Sequence, residues 1–233
     1  MHARGKKTID QLARACFLAS AMLAPWHAQA AEQDPWEGVN RGIFRFNDTV
    51  DTYAFKPFVK GYQFVTPQFV QDGIHNFFQN LGDIGNLAND TLQAKPSAAG
   101  VDTARLLLNT TLGLGGLFDV GTHMGLQRND EDFGLTLGKW GVPSGPFVML
   151  PLLGPSTVRD GVAKVPDAYT QPYPYMDDMS LRNSLFAANM VDTRAQLLPA
   201  EKLVNGDKYI FVRNAYLQNR EFKVKEGKVQ DDF

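Results

Sequence analysis

The sequence predicts an all-α, single-domain protein of about six or seven amphipathic helices with one short Gly/Pro-rich hairpin. Three observations predict it. Apolar side chains recur at steps of three and four along most of the chain, which is the helical period. Helix-start and helix-stop residues punctuate those runs, among them Asp34-Pro35, Thr66-Pro67, Lys95-Pro96 and Asp207. Strand patterns are thin, and Phe147 to Leu150 is the best candidate, paired within its own hairpin. No internal repeat or low-complexity linker divides the 233 residues.

Residues 1–30 read as a secretory signal. Arg4, Lys6, Lys7 and Arg14 form a basic start, and Ala15 to Ala24 is a mostly apolar run too short to span a bilayer. Ala28-Gln29-Ala30 is a small-x-small pattern, so cleavage is expected between Ala30 and Ala31. The domain then covers residues 31–233, with 19 basic against 24 acidic side chains. That balance argues against nucleic acid, whose phosphates select a basic face. Cleavage also removes Cys16, the only cysteine, and with it disulfide and thiol chemistry. No later stretch reaches 18 uninterrupted apolar residues, so no ordinary transmembrane helix is expected. Interfacial helices stay open, because they require amphipathicity and not bulk hydrophobicity.

Asp34-Pro35-Trp36-Glu37 reads as a helix start with Asp34 as cap. Trp36, Val39, Ile43, Phe46 and Val50 then share one face, which alone reads as the buried face of a soluble helix. Gly38 and Gly42 would admit a close backbone neighbour. A second element covers Phe58 to Val65, with Thr66 as the next cap. From Pro67 to about Ala94 the apolar positions Val70, Ile74, Phe77, Leu81, Ile84, Ala88 and Leu92 keep a helical period. Gly73, Gly82 and Gly85 each cost roughly 1 kcal/mol there relative to Ala, so close packing or a kink should compensate.

Ala98 to Leu112 is a third helix with Val101, Ala104, Leu108 and Leu112 on one face, ended by Gly113, Gly115 and Gly116. Asn129 is read as the cap of a short helix whose first turn is Asp130, Glu131 and Asp132. Phe133 to Asp160 combines Pro143, Pro146, Pro151 and Pro155 with many large apolar residues, an oily composition for a loop. It reads as a bent hairpin or hinge against something apolar. Pro166 to Met176 reads as a loop or extended segment whose Tyr169, Tyr173 and Tyr175 suit a membrane–water interface, a protein contact or packing on one another. Ser180 to Leu198 and Lys208 to Phe222 are the last helices, the second capped by Asp207, and the charged tail from about residue 223 reads as frayed.

Catalytic patterns do not assemble. Gly134 to Lys139 is one residue short of a phosphate loop and lacks the Ser or Thr after Lys. Ser144 lies outside a G-x-S-x-G elbow, and only His75 and His123 remain after the signal to serve it. A phospholipid-hydrolysing enzyme is therefore an alternative reading, as is a structural or virulence-associated surface protein. No histidine cluster has metal-ligand spacing, and neither metal nor cofactor is expected. Apolar faces wider than one core needs favour lipid contact over catalysis.

The segments DPWEGVNRGIFRFN (Asp34 to Asn47), HNFFQNL (His75 to Leu81), RLLLNTTLGLGGLFDV (Arg105 to Val120), LQR (Leu126 to Arg128), FGLTLGKWGVPSGPFVMLPLLGPSTVRD (Phe133 to Asp160), TRAQLL (Thr193 to Leu198) and YIFVRNAYLQ (Tyr209 to Gln218) run in order along nearly the whole mature chain. Together they resemble the MlaA (VacJ) family of outer-membrane phospholipid transport proteins of Gram-negative bacteria. The resemblance implies a ring of helices in the periplasmic leaflet of the outer-membrane bilayer around an amphipathic channel. It implies removal of phospholipids misplaced in the outer leaflet, transfer to a soluble periplasmic lipid carrier that feeds an inner-membrane ATP-driven transporter, and association with a trimeric porin.

On that resemblance Phe133, Leu135, Leu137, Val142, Phe147 and Val148 are expected near the pore, with Gly138, Gly141 and Gly145 as pivots of a movable flap. Lys139, Arg159, Arg182 and Arg194 are the headgroup candidates, since a phosphate crossing the ring needs polar or basic lining. One feature departs from the family. Many members are lipoproteins, but Arg14 interrupts the small-residue box before Cys16, and the apolar run follows that cysteine. No lipid anchor is expected.

Overall fold

A computed structural model describes residues 34–227. The signal segment, the Ala30–Ala31 junction and Cys16 lie outside the described residues. Helix α1 (Glu37–Val50) passes through one π-helical turn (Asp51–Phe55) into α2 (Lys56–Val65). The widened turn lies just before Pro57, whose ring would otherwise press on the preceding turn's carbonyl. Thr66 is extended at φ −100° and ψ 119°, the geometry a following proline imposes. It turns the chain into α3 (Gln68–Leu92), the longest helix, which packs along α4 (Pro96–Thr111).

A single turn, α5 (Val120–His123), precedes α6 (Phe133–Lys139). Strands β1 (Phe147–Leu150) and β2 (Gly154–Thr157) pair antiparallel, with Phe147 opposite Thr157 and Leu150 opposite Gly154. Then come α7 (Val158–Thr170), a 3₁₀ turn (Tyr173–Tyr175), α8 (Met179–Leu197), a second 3₁₀ turn (Ala200–Leu203) and α9 (Lys208–Val224). The expected all-α class with one hairpin holds, and seven of the described helices have ten residues or more.

Several local expectations are corrected. Asp34 does not cap α1, because its carboxylate accepts from Asn40 Nδ2 at 2.8 Å and from the Tyr209 hydroxyl. Thr66 does not cap α3, which begins after Pro67 without a side-chain cap. Asp132, not Asn129, caps α6 by accepting the Leu135 N–H at 2.8 Å, while Asn129 reaches back to Asp90. Pro166 sits inside α7, so the expected loop begins only after Thr170. Tyr173 is buried edge-on to Phe186, whereas Tyr169 and Tyr175 stay exposed. Helix α9 reaches Val224, beyond where fraying is expected.

The largest correction concerns which faces point inward. A soluble core is built from apolar side chains, and charged residues are almost never fully buried. Among the described residues, nine hydrophobic side chains are buried against seventeen polar or charged ones. The face Trp36, Val39, Phe46 of α1 is exposed, and the buried contact is made by Asn40. Phe64 at the α2–α3 corner is 91% exposed and Phe69 is 76% exposed. In α4 Leu107 and Leu112 lie outside, while Asp102, Arg105 and Asn109 lie inside. Gly38 and Gly42 face open space, so they serve no close approach. No helix among the described residues is long and apolar enough to cross a membrane.

Candidate functional site

The inward face of α3 carries Asn80, Asp83, Asn86 and Asn89 at steps of three residues, with Asp90 next to the last. Arg105 of α4 enters this seam at 1% exposure. Its Nε donates to Asp83 Oδ2 at 3.3 Å, and one terminal nitrogen donates to Thr122 Oγ1 at 2.8 Å and the Leu126 carbonyl at 2.7 Å. Its other terminal nitrogen lies 3.2 Å from Asp119 Oδ1. Arg128 closes the second side of Asp83, donating to Oδ1 at 2.8 Å. Burial still pushes the Asp83 carboxyl up, against the pull of both guanidinium groups.

Beside this seam is a polar cavity of about 340 Å³, walled by α3, α7 and the approach to α6. Gly82 and Gly85 form part of its floor, and the missing Cβ atoms matter there. A Cβ on Gly82 would lie 3.0 Å from the Arg128 guanidinium, and one on Gly85 3.1 Å from Thr170 Oγ1. Close packing thus accounts for both glycines in mid-helix. Arg128, Lys164 and Lys223 bring positive charge to the wall, and Asp130, Glu131, Asp132 and Asp167 bring negative charge. Burial pushes the Asp167 carboxyl up even though it accepts the Phe133 N–H at 2.8 Å.

The hairpin is mounted differently. Phe147 and Met149 point inward to Tyr209 of α9, with Phe147 edge-on to Tyr209 and Tyr216. Its stem is tied by Asp160. Arg159 Nε donates to Oδ1 at 2.8 Å, the Tyr216 hydroxyl donates to Oδ2 at 2.7 Å, and Arg220 Nε lies 2.9 Å from Oδ2. Burial opposes ionisation of Asp160, but Arg220, Arg159 and Tyr216 outweigh it and hold the carboxyl below its usual range. The tip is oily and open, with Leu152 and Leu153 both exposed.

None of the nine residues expected at the channel or hinge lines the 340 Å³ cavity. Leu135 and Phe147 are buried in packing, Phe133 and Leu137 are half-buried in α6, and Val148 is half-buried on the hairpin face opposite Phe147. Val142 is exposed between Gly141 and Gly145, which take φ +90° and +68°, a region where glycine is at ease. Gly138 is helical; there a Cβ would come within 2.6 Å of Arg159. Three of the four basic candidates already hold carboxylates. Lys139 meets Glu226 at 2.5 Å, Arg159 meets Asp160, and Arg194 grips Asp51 with two bonds of 2.7 Å. Arg182, half-buried on α8, has no side-chain partner among the described residues.

Ser144 Oγ donates to the Gly145 carbonyl, His75 lies between Asp192 and Gln79, and His123 Nδ1 rests on the Asp119 carbonyl, so neither imidazole is bonded to the serine. Among the described residues no group of three His, Cys, Asp or Glu is placed to hold a metal ion.

The family model for the MlaA lipoprotein matches residues 32–223. The chain belongs to the MlaA lipoprotein family. It is 36% identical over 210 residues to the intermembrane phospholipid transport system lipoprotein MlaA of Shigella flexneri, covering 87% of this chain and 82% of the relative. The protein of the same name from Escherichia coli K12 is 35% identical over the same shares. That of Haemophilus influenzae is 32% identical over 203 residues, covering 84% of this chain and 81% of the relative. A solved structure described as the structural basis for maintenance of bacterial outer membrane lipid asymmetry superposes with a TM-score of 0.73 at 35% identity. It covers 83% of this chain and 100% of its own. The segments that carry the resemblance contain Arg105, Asn80 and Asn40, which sequence reasoning did not single out. The signal was available in α3, whose polar stripe is Asn, Asp and Gln with no Lys or Glu, unlike a solvated helix face.

Proposed function

We propose that this MlaA-family chain is the outer-membrane component of an intermembrane phospholipid transport system. It lies in the periplasmic leaflet as a ring of helices, takes phospholipids misplaced in the outer leaflet through an amphipathic channel, and passes them to a soluble periplasmic carrier beside a trimeric porin. The observation that carries this reading is the reversed packing: an apolar exterior around a hydrogen-bonded polar interior. Acyl tails outside cost nothing to exposed Phe64 or Phe69, whereas water would. A charged headgroup needs the opposite surroundings, and the cavity wall offers both signs of charge.

In this reading the oily hairpin is a movable flap pivoting at Gly141 and Gly145. Phe133, Leu137, Val142 and Val148 are the apolar candidates along its path, and Arg182 is the one of the four basic candidates not bonded to a carboxylate among the described residues. Passage of a lipid makes and breaks no covalent bond, so the family's transport role needs no nucleophile. The test is deletion of the gene with surface phospholipid measured by an externally added lipase. Surface phospholipid should rise and return to normal on complementation. An unchanged level would overturn the proposal in favour of a structural or virulence-associated role. Hydrolysis of labelled phospholipid by the purified protein, abolished by Ser144→Ala, would make it an enzyme instead.

A further inference from the structure

Two carboxyl groups at the α3–α4 interface are left over by every role described so far. Asp90 and Asp102 are both completely buried. Asp90 Oδ2 accepts from Asn129 Nδ2 at 2.7 Å. Asp90 Oδ1 and both oxygens of Asp102 receive no hydrogen from any other described group. The two residues lie on helices that pack along each other, and Asp90 is the neighbour that, after burial, most strongly favours the protonated form of Asp102. Two bare carboxylates so placed, away from water, repel; one shared proton turns the same contact into a hydrogen bond.

The charged neighbours do not supply an alternative. Asp83 of α3 adds negative charge. Arg128, before α6, is the positive group facing Asp102, but its bonds go to Asp83 and Asp130. Arg105, one turn along α4, is committed to Asp83, Thr122 and the Leu126 carbonyl. Lys95, whose charge faces Asp90, is bonded to Glu131 at 3.0 Å. Burial first, then the bond to Asp90 and the charges of Asp90 and Asp83, push the Asp102 carboxyl up to about 8.

We propose that Asp102 is a neutral carboxylic acid at neutral pH, donating its O–H to the Asp90 carboxylate, and that this one proton is a pH-sensitive clip between α3 and α4. Asp90 holds Asn129, whose carbonyl accepts from Asn86 Nδ2 at 2.7 Å, and Asn86 lines the polar cavity. Loss of the proton therefore loosens a wall of that cavity. The inference stands independently of the transport reading. The folded chain holds this proton more tightly than the unfolded chain, so the clip is complete in acid. Its contribution declines as the pH rises from the ordinary carboxyl range through about 8.

The full-length protein in detergent tests it. Infrared difference spectra of the wild type should contain a protonated-carboxyl carbonyl band that disappears on titration to alkali. Asp102→Asn, whose amide N–H replaces the O–H donor, should lack the band. Its thermal midpoint should stay level between about pH 6 and about pH 9, a range over which the wild-type midpoint falls. A wild type without the band, a band that survives Asp102→Asn, or equal slopes in the two proteins overturns the proposal. If Asp102→Asn does not fold, a wild-type thermal midpoint that does not fall between about pH 6 and about pH 9 overturns the proposal.

Discussion

The α3–α4 seam and the hairpin–α9 contact are cores of opposite composition in one small protein. Around Phe147, Met149 and Tyr209 the chain is built as soluble proteins are, with Ile43, Phe44, Ile210 and Leu217 packed about them. Around Arg105 and Asp83 it is built from charges and amides, with Leu92, Leu107 and Leu112 turned outward. Apolar packing is tolerant of shape, since its gain scales with area removed from water. A buried polar seam is not, because each group left without its partner costs its full desolvation. The difference teaches that one region is held by exclusion of solvent, and the other by directional bonds that need no water outside them.

Substitution should expose that difference most strongly at Arg105. Arg105→Ala leaves Asp83 and Asp119 short of their buried counter-charge and should cost about 3–5 kcal/mol in detergent unfolding. Arg105→Met, of similar length, should rescue little, and Arg105→Ala with Asp83→Asn should recover part of the loss. In the other core Met149→Ala should cost about 2–4 kcal/mol, but Met149→Leu less than about 1.5 kcal/mol. Equal tolerance of apolar replacement at positions 105 and 149 would break the comparison.

Element boundaries are legible only where the local pattern decides them, since Asp34, Thr66 and Asn129 do not cap and Pro166 does not break its helix. Asp207 caps α9 as read, its Oδ1 accepting the Tyr209 N–H at 2.9 Å, and the strand at Phe147 to Leu150 pairs within its own hairpin. The direction of each face was not legible. Periodicity at Trp36, Val39, Ile43 and Phe46 establishes that one stripe is apolar, and says nothing of whether protein or lipid covers it. Side-chain partners were hidden for another reason. Arg194 meets Asp51 across 143 residues, and no local pattern encodes such a meeting. The sequence therefore offers four basic side chains as headgroup candidates, and the fold pairs three of them with carboxylates.

The smallest effects belong on the hairpin side of that comparison, along the edge of β1 that faces α1. Asn40 donates to the Phe147 carbonyl at 3.1 Å and accepts the Met149 N–H at 2.8 Å. Asn47 donates to the Leu150 carbonyl at 2.9 Å and accepts the Leu152 N–H at 2.8 Å. Seven helical residues rise about 10 Å, as do three strand residues, so the two amides match the edge and stand in for a third strand. Asn40 is buried, and Asn40→Ala strands two backbone groups that water cannot reach. A loss of about 2 kcal/mol is expected by denaturant unfolding. Leu152 is exposed, so water replaces much of what Asn47→Ala removes, and the loss should be about 1 kcal/mol or less. If the hairpin pivots during lipid passage, Asn47→Ala frees its tip while sparing its root. Surface phospholipid should then change in that variant without a matching loss of stability. Equal destabilisation by the two alanines would mean that the tip is packed as firmly as the root, and that the flap does not move about Gly141 and Gly145.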